Sequence, residues 1–234
     1  MAVSVDTVYQ RVLAIANKEQ RGYITPQEFN LFANQAQMDI FEQYFYDLNQ
    51  FLRVRGNDKD YSDMVTILEE KISLFETSED VQYNSTGKYH DVSALTVDVY
   101  RIGSVITSTN KICERVSAKE IALLNNSPLI KPSGHHPRYV LGERNNIYIY
   151  PNTITSDLTV NFIRKPSRVE WQYTVIQDKA LWTGNSDFDF ELHVSEETDI
   201  VFKVLELAGI SIKDPLLYQA AAQEENMKIQ QEKQ

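Results

Sequence analysis

Four histidines, one cysteine and a row of alternating acids are the groups in this 234-residue sequence best suited to hold a metal or move a proton. The histidines are His90, His135, His136 and His193, and the adjacent pair follows Ser133-Gly134. Neighbouring side chains in a strand point to opposite faces, and neither an HExxH spacing nor a CxxC pair is present to gather metal ligands. This predicts a solvated loop pair at His135 and His136, and a capping or orienting role for His193 at the helix that follows it. Asp187, Asp189 and Glu191 alternate with Phe188, Phe190 and Leu192, the pattern of a half-exposed strand. Such oxygens suit a hard cation, but the turn glycine and twelfth-position glutamate of an EF-hand loop are missing, so no metal is expected there.

Cys113 lies among Ile112, Glu114, Arg115 and Val116 with no base beside it, which predicts a buried structural thiol rather than a nucleophile. No phosphate-binding glycine loop, GxSxG elbow or dinucleotide fingerprint occurs, and 8 glycines leave little material for one. The 13 tyrosines have no interleaved basic residues and suit cores and interfaces better than base stacking. The expectation is a chain that is not an enzyme, with no catalytic residues and no cofactor.

The chain has 42% hydrophobic and 24% charged residues, an ordinary globular balance. A single cysteine rules out an intrachain disulfide and fits folding in a reducing cytoplasm. The start, Met1-Ala2-Val3-Ser4-Val5-Asp6, lacks the basic and apolar parts of a signal peptide, and no apolar run is long enough to span a bilayer, so no membrane partner is expected. The net charge of -10 repels a phosphate backbone. It argues against tight DNA binding and suits a conduit through which DNA slides, or simply a soluble surface.

The elements that must position these groups follow from periodicity. Val8, Val12, Ile15 and Ala16 predict a helix over 7–19 with Asp6 as its cap. Thr25-Pro26-Gln27-Glu28 is a capping box with proline at the first helical position. It opens a helix over 26–52 with Phe29, Phe32, Ala36, Ile40, Tyr44 and Leu48 on one side, widened by Phe41, Phe45 and Tyr46 enough to meet more than one surface. Met64, Ile67, Leu68, Ile72 and Phe75 sketch a third helix. Strands are expected over 97–107, 111–116, 138–141, 147–150 and 158–164, the last with Leu158, Val160 and Phe162 on one face. Ser117-Ala118-Lys119-Glu120 repeats the capping box and predicts a short helix to about Asn125. Ser195 is placed to cap a helix over 196–207 that Gly209 would stop, and Asp214-Pro215 to start a last one.

This order predicts an α+β fold in which N-terminal helices (1–77) and C-terminal helices (195–234) form a bundle carrying an inserted β-rich domain (78–194). The last helix buries its first turns through Leu216, Leu217 and Tyr218, then keeps only Met227 and Ile229 as apolar residues. Tyr218, Met227 and Ile229 are therefore the expected partner-binding residues of a terminal arm.

Three passages resemble a family of structural proteins of short-tailed phages of marine and gut bacteria, including the crAss-like group. They are Asn17-Lys18-Glu19-Gln20-Arg21-Gly22-Tyr23-Ile24-Thr25-Pro26-Gln27-Glu28-Phe29-Asn30 with its continuation to Tyr46, Lys165-Pro166 followed by Trp171, and residues 190–222. The resemblance implies a subunit of a homo-oligomeric ring in the head-to-tail neck, a portal adaptor that lines or extends the DNA channel. It implies as partners further copies of the chain, the portal or an adjacent neck or tail ring, and genomic DNA passing without specific binding. The location implied is the virion neck, assembled in the host cytoplasm. A tail-side ring or tail-tube terminator, or a phage enzyme acting on nucleic acid or cell-wall polymer, stands as the alternative.

Overall fold

The structure, a computed structural model, describes residues 3–18, 24–53, 59–177, 179–211 and 223. It is mixed α and β, with five α-helices, an eight-stranded sheet and a separate two-stranded one among the described residues. The chain divides into two compact units, residues 1–74 with 166–234, and residues 75–165. The β-rich segment expected over 78–194 therefore does not coincide with one unit, because 166–194 packs with the helices.

The helical unit holds α1 (Val5–Lys18), α2 (Pro26–Arg53), α3 (Lys59–Ser73) and α5 (Glu197–Ser211). Helix α1 buries Val5, Val8, Tyr9, Val12 and Ala16, one stripe at helical spacing. Asp6 is not its cap. The helix starts two residues earlier than expected, the Val5 N–H is taken by the Asp189 carboxylate at 2.8 Å, and Asp6 sits inside the first turn. Helix α2 begins as its capping box dictates, with the Glu28 N–H on Thr25 Oγ1 at 3.3 Å and the Thr25 N–H on Glu28 Oε2 at 3.0 Å. The Thr25 N–H, with the Thr25 hydroxyl donating to the same oxygen at 2.8 Å, holds the Glu28 carboxyl below the usual carboxylate range. Its wide apolar face packs against both α3 and α5. Helix α5 buries Ile200, Val201, Val204, Leu205 and Ala208 and runs through Gly209 rather than stopping at it.

The other unit contains β1 (Glu76–Val81), β2 (Tyr83–Asn84), β3 (Tyr89–His90), β4 (Val99–Thr107), β5 (Ile112–Arg115), α4 (Ala118–Asn126), β6 (Arg138–Leu141), β7 (Ile147–Tyr150) and β8 (Leu158–Arg164). The strand order is β1-β8-β4-β5-β6-β7-β3-β2. Only Gln82 separates the two edge strands, so Val81 and Tyr83 are about 7 Å apart at most. A flat sheet would put its edges about 34 Å apart at seven strand spacings. The sheet must curl until its edges nearly meet, and the inward residues of alternate positions fill the interior. Leu158, Val160 and Phe162 do so as their alternation predicts, joined by Val81, Ile102, Val105, Ile147 and Ile149. The in-and-out phase of β4 changes at a register shift between Ile102 and Val105, where a side-chain carbon on Gly103 would come within 3.0 Å of the Asn161 carbonyl oxygen. Strands β5 and β6 are parallel, joined by α4, whose Ser117–Glu120 capping box forms as expected.

Candidate interaction surface

The groups singled out for chemistry are dispersed. His135 and His136 are exposed in the turn closed between Ser133 and His136. His193 Nδ1 accepts the Ser195 N–H at 3.2 Å, so it caps the helical turn that leads into α5, and Ser195 is inside that turn rather than its cap. His90 is buried in the curled sheet with Nε2 2.9 Å from the Ser156 carbonyl, and burial lowers its pKa. Cys113 is buried there too, its thiol pushed up to about 11 by burial, as a structural thiol requires. Tyr218, Met227 and Ile229 lie outside the described residues. Among the described residues no group of three or more His, Cys, Asp or Glu side chains could hold a metal ion.

The row from Asp187 to Leu192 is not a strand. Asp187 lies in a turn, and only Phe190 makes a β-bridge, to Val3. Phe190 and Leu192 are buried as the alternation implies, but the acids serve the backbone. Asp189 receives the Val5 N–H, and Glu191 receives the Ser167 N–H at 2.8 Å and its hydroxyl at 3.0 Å.

A line of amides on α2 builds the most developed polar arrangement in the helical unit. Asn34 donates to the Val169 carbonyl at 2.7 Å and accepts the Val169 N–H at 3.0 Å. Asn30 does the same for Trp171, accepting its N–H at 2.8 Å and donating to its carbonyl at 3.4 Å. Gln37, buried, donates to the Ser167 carbonyl at 2.8 Å and accepts the Glu191 N–H at 3.1 Å. Residues 30, 34 and 37 thus serve residues 171, 169 and 167 in the manner of a neighbouring strand. Seven helical residues rise about 10.5 Å, four extended ones about 13 Å. The longer glutamine side chain at the far end takes up the difference.

Past this ladder Trp171 is clamped. Its indole N–H reaches Asp6 Oδ1 at 3.0 Å, and its ring lies 4.2 Å from Tyr9 and stacks at 5.7 Å on Tyr173. From Tyr173 the chain forms a ribbon of two antiparallel strands, β9 (Tyr173–Ile176) and β10 (Lys179–Trp182), with no third strand among the described residues. Thr183 closes its base by donating its N–H to the Gln172 carbonyl at 3.1 Å. Val175, Ile176, Leu181 and Trp182 stand exposed on it.

The sequence reading found Trp171 but neither the amide ladder nor the ribbon. The available signal for the ladder was three amides at i, i+4 and i+7 beside an apolar stripe. The ribbon turns at Gln177 with a φ of 51°, and no glycine marks it.

Such an arrangement presents exposed apolar side chains beside a base held by hydrogen bonds and ring contacts, a feature suited to association. No described helix is long and apolar enough to cross a membrane. No protein-family model and no curated protein matches the chain.

Proposed function

We propose that the chain is a structural ring subunit of a phage neck, a portal adaptor whose copies surround and extend the DNA channel. On this reading the N- and C-terminal helices form one bundle into which the β-rich unit is inserted. Its partners are further copies of itself and the portal or an adjacent ring, and DNA passes without being held. It does no chemistry of its own.

One observation carries the reading. The three passages that resemble phage connector proteins are far apart in sequence, yet apart from Lys165 their described parts belong to the helical unit. Helix α2 supplies Asn30, Asn34 and Gln37 from the first passage, the 167–171 segment that they hold ends on Trp171 of the second, and Phe190, Glu191 and α5 come from the third. Most of the remaining sequence makes the other unit. A likeness concentrated in one packed unit is what a common platform with a divergent insert leaves behind.

The experiment is mass spectrometry and cryo-electron microscopy of purified virions of the phage that encodes the sequence. The expected result is a low, ring-like copy number at the neck. Absence of the chain from particles would overturn the proposal.

A further inference from the structure

The β9–β10 ribbon exposes apolar side chains on both of its faces. Its register pairs Ile176 with Lys179, Val175 with Ala180, Leu181 with Thr174 and Trp182 with Tyr173. Residues directly opposite share a face. One face therefore carries Ile176 and Leu181, 55% and 48% exposed, beside Thr174 and Lys179, and the other Val175 and Trp182, 63% and 38% exposed, beside Tyr173 and Ala180. Neither face is suited to water, and a lone two-stranded ribbon is marginally stable without something to pack on. Its strands contain no proline, their register is unbroken, and Lys179 is their one charge, so little opposes pairing or packing with another chain.

Charge selects the partner. The unit that bears the ribbon, residues 1–74 with 166–234, holds 13 Lys and Arg against 24 Asp and Glu, so copies repel one another over that unit. From residue 171 to 186 the only charged residues are Asp178 and Lys179, of opposite sign. The ribbon is thus a place where two copies can meet without like-charge repulsion, and a strongly basic partner would gain nothing there. Area then selects the geometry. Four such side chains, at about 60 to 120 Å² each when fully buried, offer a few hundred Å², below the roughly 800 Å² per partner of a standard stable interface. A single contact of this size makes no lasting dimer. Repeated head to tail around a closed ring, with every copy giving and receiving one arm, it does.

We propose that the β9–β10 ribbon is an inter-subunit arm that inserts into the adjacent copy of this chain, burying Ile176 and Leu181 against it. The closed-ring geometry rests on the neck-ring reading, whereas the choice of a second copy rests on charge and exposure. Sedimentation velocity of the full chain over a concentration series tests it, with Ile176→Glu/Leu181→Glu and the conservative Ile176→Val/Leu181→Met beside the parent. The charged pair should weaken self-association at least about tenfold, or 1.4 kcal/mol. At concentrations where both are monomeric its melting temperature should stay near the parental value, because both side chains are about half exposed in the free chain, and the conservative pair should assemble as the parent does. A parent that stays monomeric at every concentration, or a charged variant that assembles normally, would overturn the proposal. The two readings fail separately: a charged variant built into necks at parental copy number sinks the arm and leaves the ring, while absence from virions sinks the ring and leaves the solution test of the arm intact.

Discussion

At the scale of single residues the most consequential polar contact is the ion pair of Lys71 with Glu196, 2.6 Å apart, with Glu196 almost fully buried. Burial by itself would raise the Glu196 carboxyl, but Lys71, with help from Asp199 and Ser195, reverses this and holds it below the usual carboxylate range. A carboxyl depressed in the folded state adds stability above its unfolded value of about 4.3 and loses it as pH falls through the folded one. Replacing Lys71 with methionine leaves the carboxyl buried without its cation, so burial wins and the sign inverts: the group then opposes folding as pH rises. Lys71→Met should therefore destabilise by about 3 to 5 kcal/mol near neutrality, the usual cost of orphaning a buried charge. The penalty should shrink steadily below about pH 5 as Glu196 takes a proton. Urea midpoints of parent and variant between neutral and acidic pH measure this, and a pH-independent difference would mean that Lys71 acts through its packing over Tyr44 instead. Cys113 offers a second test: a buried thiol pushed up to about 11 should react with a thiol reagent only as fast as its unit opens.

At the scale of elements, the amide ladder explains how an irregular segment is held as firmly as a strand. Asn34→Ala orphans both backbone groups of Val169, which predicts a loss of about 1 to 3 kcal/mol. Asn30 and Asn34 hold the same short segment, so once one is gone the other has less to hold. The double variant should cost less than the two single losses added, a coupling of about 0.5 kcal/mol or more. Strict additivity in chemical denaturation would mean that 167–171 stays in place through Trp171 and its neighbours alone. The ladder also shows what sequence could and could not convey. Helices α2 and α4 are legible because a capping box is a local device, and β8 because its alternation survives in a half-buried strand. Strand β1 is not: Glu-Thr-Ser-Glu-Asp-Val reads as a polar loop, and becomes a strand only by pairing with β8, where Thr159 also donates to Asp80. Gly209 does not stop the helix because the buried face that leads up to it, against α1 and α2, outweighs its weak helix propensity. Asp6 is not the cap because Asp189, 184 positions from Val5, does that work. In each case a contact distant in sequence overrode a local signal, and the ladder and the ribbon are made of such contacts.

At the scale of the whole molecule, the acidity is not spread evenly. Residues 75–165 hold 10 Lys and Arg against 9 Asp and Glu, leaving 13 against 24 for the rest. The β-rich unit is therefore close to neutral, and nearly all of the -10 belongs to the helical unit and its C-terminal extension. Proteins that grip DNA release counterions by laying Lys and Arg along its phosphates, and affinity falls steeply with salt in proportion to the contacts made. Neither unit has the surplus of cations for this. Basic side chains of the β-rich unit are also partly engaged locally, as where Arg138 meets Glu114 at 3.0 Å across the parallel β5–β6 pair. The full chain should leave duplex DNA unshifted in a gel even at low salt, where electrostatic attraction is greatest. On the proposed neck-ring reading, assembled rings should behave the same way, because the passage they would surround has to let DNA slide. Retention at low salt that disappears as salt is raised would reveal a basic track and count against a conduit that does not hold its cargo; a neck reconstruction would then be expected to show Lys and Arg lining the channel.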